Sequence, residues 1–161
     1  MMKKRILAMC LTCALALKPV TVTAEPSHMD EYILFCDEAA AKFGISSELL
    51  QAICEIESNW NPNAVSDKGA VGIAQIMPQY HQALMEEYGV TDLTDAHDCI
   101  LISAAYISEL KDRFDGDLYM VLMYYNQGQS AIEQFEAGNY SAYAIKVTEL
   151  AYQKEVERYG R

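Results

Sequence analysis

Residues 46–58, Ser46-Ser47-Glu48-Leu49-Leu50-Gln51-Ala52-Ile53-Cys54-Glu55-Ile56-Glu57-Ser58, spell an amphipathic helix that closes on a carboxyl. Leu49, Leu50, Ile53, Cys54 and Glu57 recur at the three- and four-residue spacing of one helix face, and Ser46 stands at the N-cap position. Glu57 therefore continues an apolar stripe. Glu48 and Glu55 fall off it, as ordinary surface charges do. Glu57 also occupies the last turn, just before the loop Asn59-Trp60-Asn61-Pro62-Asn63. Partial burial and the negative end of the helix dipole both disfavour its ionised form, so its pKa is expected to rise. A carboxyl still protonated near neutral pH is what a general acid needs to break a glycosidic bond.

Working outward, helical signals dominate. A first helix is expected over 29–43, ended by Gly44, and residues 59–69 read as a loop rich in Asn, Pro, Asp and Gly. Short helical pieces are expected at 71–77 and 78–88. Asp95 with Asp98 resembles a capping box that opens a helix through Ile100, Leu101, Ala104, Ile107 and Leu110. Asp117 can cap a helix over 118–125, and a last helix is expected over 141–159. Strand-like alternation is sparse, so the fold class is mostly α, in a single domain.

The first residues have the anatomy of a cleavable signal peptide: Met1-Met2-Lys3-Lys4-Arg5, an apolar run over 6–17, then Val22-Thr23-Ala24. The expected division is a signal peptide at 1–24, a short N-terminal segment at 25–33 and the functional domain at 34–161. No other segment is apolar enough to cross a membrane, so none is expected to be engaged after cleavage. The whole chain of 161 residues carries a formal charge of −11. Removing 1–24 takes away Lys3, Lys4, Arg5 and Lys18 and no acid, leaving −15. So acidic a protein should not bind nucleic acid, and its substrate must be held by a shaped cleft. Cys36, Cys54 and Cys99 remain after cleavage; they read as buried small apolar residues rather than a disulfide pair. No CxxC occurs and the three histidines are scattered, so no metal site is expected.

Around Glu57 gather groups suited to a sugar cleft. Ser58 follows at once, the 59–63 loop adds an aromatic and amides, and Gly69 and Gly72 allow close backbone approach. Gln75 offers a donor and an acceptor for sugar hydroxyls, and Tyr124-Tyr125-Asn126-Gln127-Gly128 brings aromatic and amide groups together.

Residues 52–66, with Glu57-Ser58 ending a helix before Asn61-Pro62-Asn63-Ala64-Val65-Ser66, resemble the first signature of the soluble lytic transglycosylase (SLT) family. Gly69-Ala70-Val71-Gly72-Ile73-Ala74-Gln75-Ile76-Met77-Pro78 resembles the second, Tyr124-Tyr125-Asn126-Gln127-Gly128 the third, and Tyr143 the late tyrosine that closes the family's cleft. The resemblance spans about 34–158 with the motifs in order. It implies a lysozyme-like α domain of the glycoside hydrolase family 23 type, with Glu57 as catalytic acid and base. Ser58, Gln75, Tyr125, Asn126 and Tyr143 would line the sugar cleft, with no metal or organic cofactor. Ala74 stands where Met is usual, Tyr124 where Ala is, Cys99 in place of Asn and Ser103 in place of Gly.

The implied activity is that of a peptidoglycan lytic transglycosylase acting on glycan strands in the cell envelope. Most glycosidases work with two carboxylates. Here Glu57 has no convincing partner: Asp67 sits in a Ser-Asp-Lys-Gly turn where Asp commonly serves the backbone. One carboxyl suffices if the substrate supplies its own nucleophile. Two alternatives remain open. One is a goose-type-lysozyme-like muramidase, for which Asp67 or Glu55 would have to position water. The other is a wall-localised component of secretion or conjugation machinery. The aspartates at 112, 115 and 117 miss calcium-loop spacing and read as caps and turns.

Overall fold

The computed structural model describes residues 27–160, and the expected signal peptide lies outside them. Its helices begin and end where local chemistry directs. In α1 (His28–Phe43), Ser27 Oγ accepts from Asp30 N at 3.2 Å while Ser27 N donates to the Asp30 carboxylate at 3.0 Å, a reciprocal capping box. Gly44 closes that helix in the left-handed region (φ 63°), which costs glycine little. In α2 (Ser47–Ser58), Ser46 Oγ accepts from Leu49 N at 3.1 Å. Asp95 caps α4 (Ala96–Arg113), Asp117 caps α5 (Leu118–Gln127) and Ser141 caps α7 (Ala142–Tyr159), each side chain accepting one orphan N–H. So His28 already belongs to α1, although 25–33 reads as a separate segment by sequence.

α2 is the central helix. α1, α4 and α7 all pack against it, and burial is not confined to one stripe: Ser47, Glu48, Gln51 and Ala52 are enclosed along with Leu49, Leu50, Ile53 and Cys54. Around it Ile100, Ile102, Ile107, Val121, Leu122, Met123 and Val147 complete the core. Each such side chain contributes on the order of 1.5–3 kcal/mol when fully buried.

Ion pairs from α7 correct the expectation that Glu48 and Glu55 are ordinary surface charges, and Glu48 is in addition buried. Glu48 is buried, accepts from Ser46 Oγ at 2.9 Å and meets Arg158 Nη1 at 3.1 Å. Arg158 is held in turn by the Asp37 carboxylate at 2.8 and 3.1 Å. Glu55 pairs with Lys154 Nζ at 2.6 Å. α7 brings both cations, from about a hundred residues downstream.

Three further departures concern short elements. Residues 71–77 are not helical: Val71 forms isolated antiparallel bridges to Val65 and Ile76. The 78–88 stretch divides into a 3-10 turn (Pro78–Tyr80) and α3 (Gln82–Tyr88). α6 (Ser130–Glu136), absent from the sequence expectation, starts at Gln129 with no side-chain cap, so it carries none of the usual start signal. Seven α-helices and no extended strand make the described residues mostly α, as the sequence predicts.

Candidate functional site

The end of α2 determines where Glu57 points. Asn59 (φ 52°) and Trp60 (φ 64°) both take left-handed backbone, returning Asn59 N to Glu55 O at 2.9 Å and Trp60 N to Cys54 O at 3.2 Å. Asn tolerates this conformation and Trp does so rarely. The Trp60 ring is held by stacking on Tyr32 (centroids 6.5 Å, 9°), with Lys154 Nζ 5.8 Å from its centre. It is thus a packing group between α1, α2 and α7.

A tight loop at 64–76 is fastened beside Glu57. Ser58 Oγ donates to Ile73 O at 2.7 Å and accepts from Asn61 N at 3.0 Å, so this hydroxyl is engaged by protein backbone. Gln75, at φ 52°, donates through Nε2 to Gly72 O (3.0 Å) and Ala64 O (3.2 Å), leaving Oε1 for a ligand. Tyr125 Oη donates to Ala74 O at 2.8 Å, and with its proton so directed it accepts from Ser103 Oγ at 3.0 Å. Gly72 has no room for a side chain: a Cβ there would stand 2.0 Å from Leu93 O and 2.7 Å from Cys99 Sγ. Cys99 braces this loop, its sulfur accepting from Ala74 N at 3.5 Å with Val71 O at 3.7 Å. Burial pushes the Cys99 thiol up to about 11, so it stays protonated. Cys36, Cys54 and Cys99 are all free and buried, as the sequence predicts.

Glu57 has the raised pKa that its position predicts. Burial disfavours the carboxylate, and the Tyr143 hydroxyl beside it pulls the value partly back. Tyr143, from the first turn of α7, is itself pushed up by burial and by the Glu57 charge. Its hydroxyl is buried and forms no fully aligned hydrogen bond among the described residues. A buried hydroxyl without a partner costs stability unless function retains it. The structure therefore unites Glu57, Tyr143 and Tyr125, whose own pKa burial and the Glu57 charge raise.

Beyond Tyr125 opens a cavity of about 990 Å³. Gln75, Tyr125 and Asn126 line it, whereas Glu57, Ser58 and Tyr143 are not among its lining residues. Asn126 is exposed there. Tyr106 lies between His81 (centroids 4.2 Å) and Tyr125 (5.5 Å), forming an aromatic run along the cavity. Burial pushes the Tyr106 phenol to about 12 and holds His81 below the usual imidazole range, so both are neutral at pH 7. The sequence reading passed over Tyr106 and Arg113 as site groups. Their signal is present in helical phase: Cys99, Ser103, Tyr106 and Arg113 recur every three to seven residues along one side of α4, and all reach the loop, Tyr125 or the cavity. Asp95, His97 and Asp98 bring their ligand atoms within 4.8 Å of one another at the start of α4, though Asp95 and His97 are exposed there and Asp95 serves as the helix cap.

Comparison with known proteins follows the same geometry. The transglycosylase SLT domain matches residues 35–147. Membrane-bound lytic murein transglycosylase C of Photorhabdus laumondii is 29% identical over 70% of this chain and 37% of its own length. The protein of the same name from Yersinia pestis is 28% identical over the same shares. The chain thus matches only about a third of the length of these relatives. Among solved structures, the lytic transglycosylase Slt of Pseudomonas aeruginosa superposes with a TM-score of 0.59 at 23% identity, over 78% of this chain and 21% of that one. The 70 kDa soluble lytic transglycosylase of Escherichia coli gives 0.59 and 23%, over 80% and 22%. By fold and by the match over most of its length, this chain belongs to the transglycosylase SLT domain family.

Proposed function

We propose that this protein is a peptidoglycan lytic transglycosylase that cleaves the β-1,4 bond between N-acetylmuramic acid and N-acetylglucosamine and leaves 1,6-anhydromuramoyl ends. The observation that carries this reading is Glu57: a carboxyl whose pKa is raised by burial, with the Tyr143 hydroxyl beside it. Glu57 gives its proton to the glycosidic oxygen as the bond breaks. The substrate's N-acetyl oxygen stabilises the anomeric carbon, and the C6 hydroxyl then attacks that carbon while Glu57 takes up its proton. The leaving sugar carries away one proton and Glu57 regains one, so the acid is restored without water. Tyr143 Oη, lacking an aligned protein partner, is the donor for the N-acetyl oxygen. Gln75 Oε1 and the Asn126 amide bind sugar hydroxyls in the cavity, whereas Ser58 and Tyr125 hold the loop that shapes it.

Hydrolysis with two carboxylates finds less support. Glu55 is neutralised by Lys154 at 2.6 Å and Asp67 is exposed on its turn, so neither is prepared to direct water. The substrate places the activity in the cell envelope, with residues 1–24 as a removable leader; no described helix is long and apolar enough to cross a membrane. Digestion of purified sacculi followed by mass spectrometry tests the proposal. Anhydromuramoyl ends that disappear in Glu57→Gln are the expected result, and reducing muramoyl ends would assign the hydrolytic reaction instead.

A further inference from the structure

The three buried thiols of the core are not alike. Cys99 is engaged by the loop, through Ala74 N at 3.5 Å and Val71 O at 3.7 Å. Cys36 of α1 and Cys54 of α2 meet each other instead, their side chains hydrogen-bonded across the interface where the two helices pack. That interface is built for close approach. The enclosed residues of α1 are Cys36, Ala39 and Ala40, all small, and both Cys36 and Cys54 are fully buried. Small side chains let helix axes draw together, and a disulfide spans Cα separations of about 4.4–6.8 Å. Cys54 has a second task. Its carbonyl receives Trp60 N at 3.2 Å and Ser58 Oγ at 3.3 Å, the bonds that finish α2 directly behind Glu57.

We infer that Cys36 and Cys54 are joined as a disulfide when the chain folds outside the cytoplasm, tying α1 to the helix that carries Glu57. The step is thiol–disulfide exchange and takes a disulfide as its oxidant, glutathione disulfide or an oxidised dithiol protein. One cysteine thiolate attacks the oxidant, forming a mixed disulfide and releasing one thiol. The second thiolate attacks the protein sulfur of that mixed disulfide and displaces the other thiol. Two electrons and two protons pass from the cysteines to the oxidant, which leaves as two thiols. Extracytoplasmic compartments are where such bonds form and persist. The exchange belongs to the folding chain rather than to the native state. There the hydrogen bond with Cys36, together with burial, holds the Cys54 thiol well above its usual range. Once enclosed, the bridge is shielded from soluble reductants. It closes a loop of about 18 residues, which limits the freedom of the unfolded chain.

The test refolds the full chain in a glutathione buffer, denatures it in an alkylating agent and digests it with trypsin. Lys42 and Lys68 place Cys36, Cys54 and Cys99 on separate peptides. A peptide pair linked through Cys36 and Cys54 is expected, with Cys99 alkylated. Alkylation of both Cys36 and Cys54, or a link from either to any other cysteine, would overturn the inference. Melting curves read the bridge independently. Oxidised wild type should melt about 10 °C above protein refolded under reductant. Cys99→Ala should keep that difference and Cys36→Ala should abolish it. Equal melting temperatures for the two wild-type preparations, or a difference that survives Cys36→Ala, would sink the proposal. None of these readouts depends on the reaction proposed for Glu57.

Discussion

Ser58 Oγ donates to the carbonyl of Ile73 at 2.7 Å, joining the last residue of α2 to a loop fifteen positions downstream. Glu57 immediately precedes this pin, so the carboxyl's direction depends on a bond it does not make. Ser58→Ala removes that donor and also the acceptor for Asn61 N. About 1 kcal/mol is expected for one neutral hydroxyl, because water can reach the exposed Asn61 N, and it is readable as a lowered urea midpoint. Turnover should fall with KM little changed, because the bond orients an acid rather than holding a sugar.

Glu57 ties activity and stability to the same proton. Its folded pKa lies above its unfolded value of about 4.5, so between those values the folded state retains a proton that the unfolded chain releases. Stability from this group is therefore highest in acid and declines as pH rises through that window. Glu57→Gln should flatten this decline, and denaturant titrations at several pH values measure it. The alkaline limb of kcat should follow the same raised pKa, because the acid must start protonated.

Tyr143→Phe should move the alkaline limb of kcat/KM, which reads the free enzyme, upward. Its hydroxyl draws the Glu57 pKa down, so removing it lets burial act unopposed. The variant should lose turnover while its pH profile shifts to higher pH. A loss of turnover with an unmoved profile would remove Tyr143 from contact with the acid.

Tyr125 and Ser103 should behave as a coupled pair. Tyr125→Phe leaves both Ala74 O and the Ser103 hydroxyl without their partner, at a cost of about 1–3 kcal/mol. Ser103→Gly, in the background of Tyr125→Phe, should cost less than it does alone. A double-mutant cycle of melting curves measures that coupling.

Gly72→Ala should be among the most damaging substitutions available. Its φ is 84°, and the added methyl would collide with the backbone oxygen of Leu93, a buried residue in the turn before α4. Destabilisation of about 3 kcal/mol or more is expected. A soluble yield and melting temperature equal to wild type would contradict the close approach described here.

Helix ends were readable because their signals are local: Ser46, Asp95 and Asp117 each accept the N–H three residues on, as their positions predict, and Ser141, read as the first residue of the last helix, proves to be its cap. The phase of Glu57 along α2 was readable for the same reason. The 71–77 segment was not, because tertiary bonds from Ser58, Tyr125 and Cys99 decide its path. Glu48 was misjudged because its cation arrives from Arg158, at the far end of the chain. Helical phase along α4 contained Tyr106 and Arg113, yet only the fold reveals that this side of α4 forms a cavity wall.

α7 touches α2 at three levels: Tyr143 beside Glu57, Lys154 on Glu55, and Arg158 on Glu48. It behaves as a lever lying on the helix that carries the acid. Fifteen residues, roughly 22 Å of helix, separate Tyr143 from Arg158. Any contact that lifts the far turns of α7 would thus retune the proton affinity of Glu57 from a distance, without a ligand ever entering the cleft.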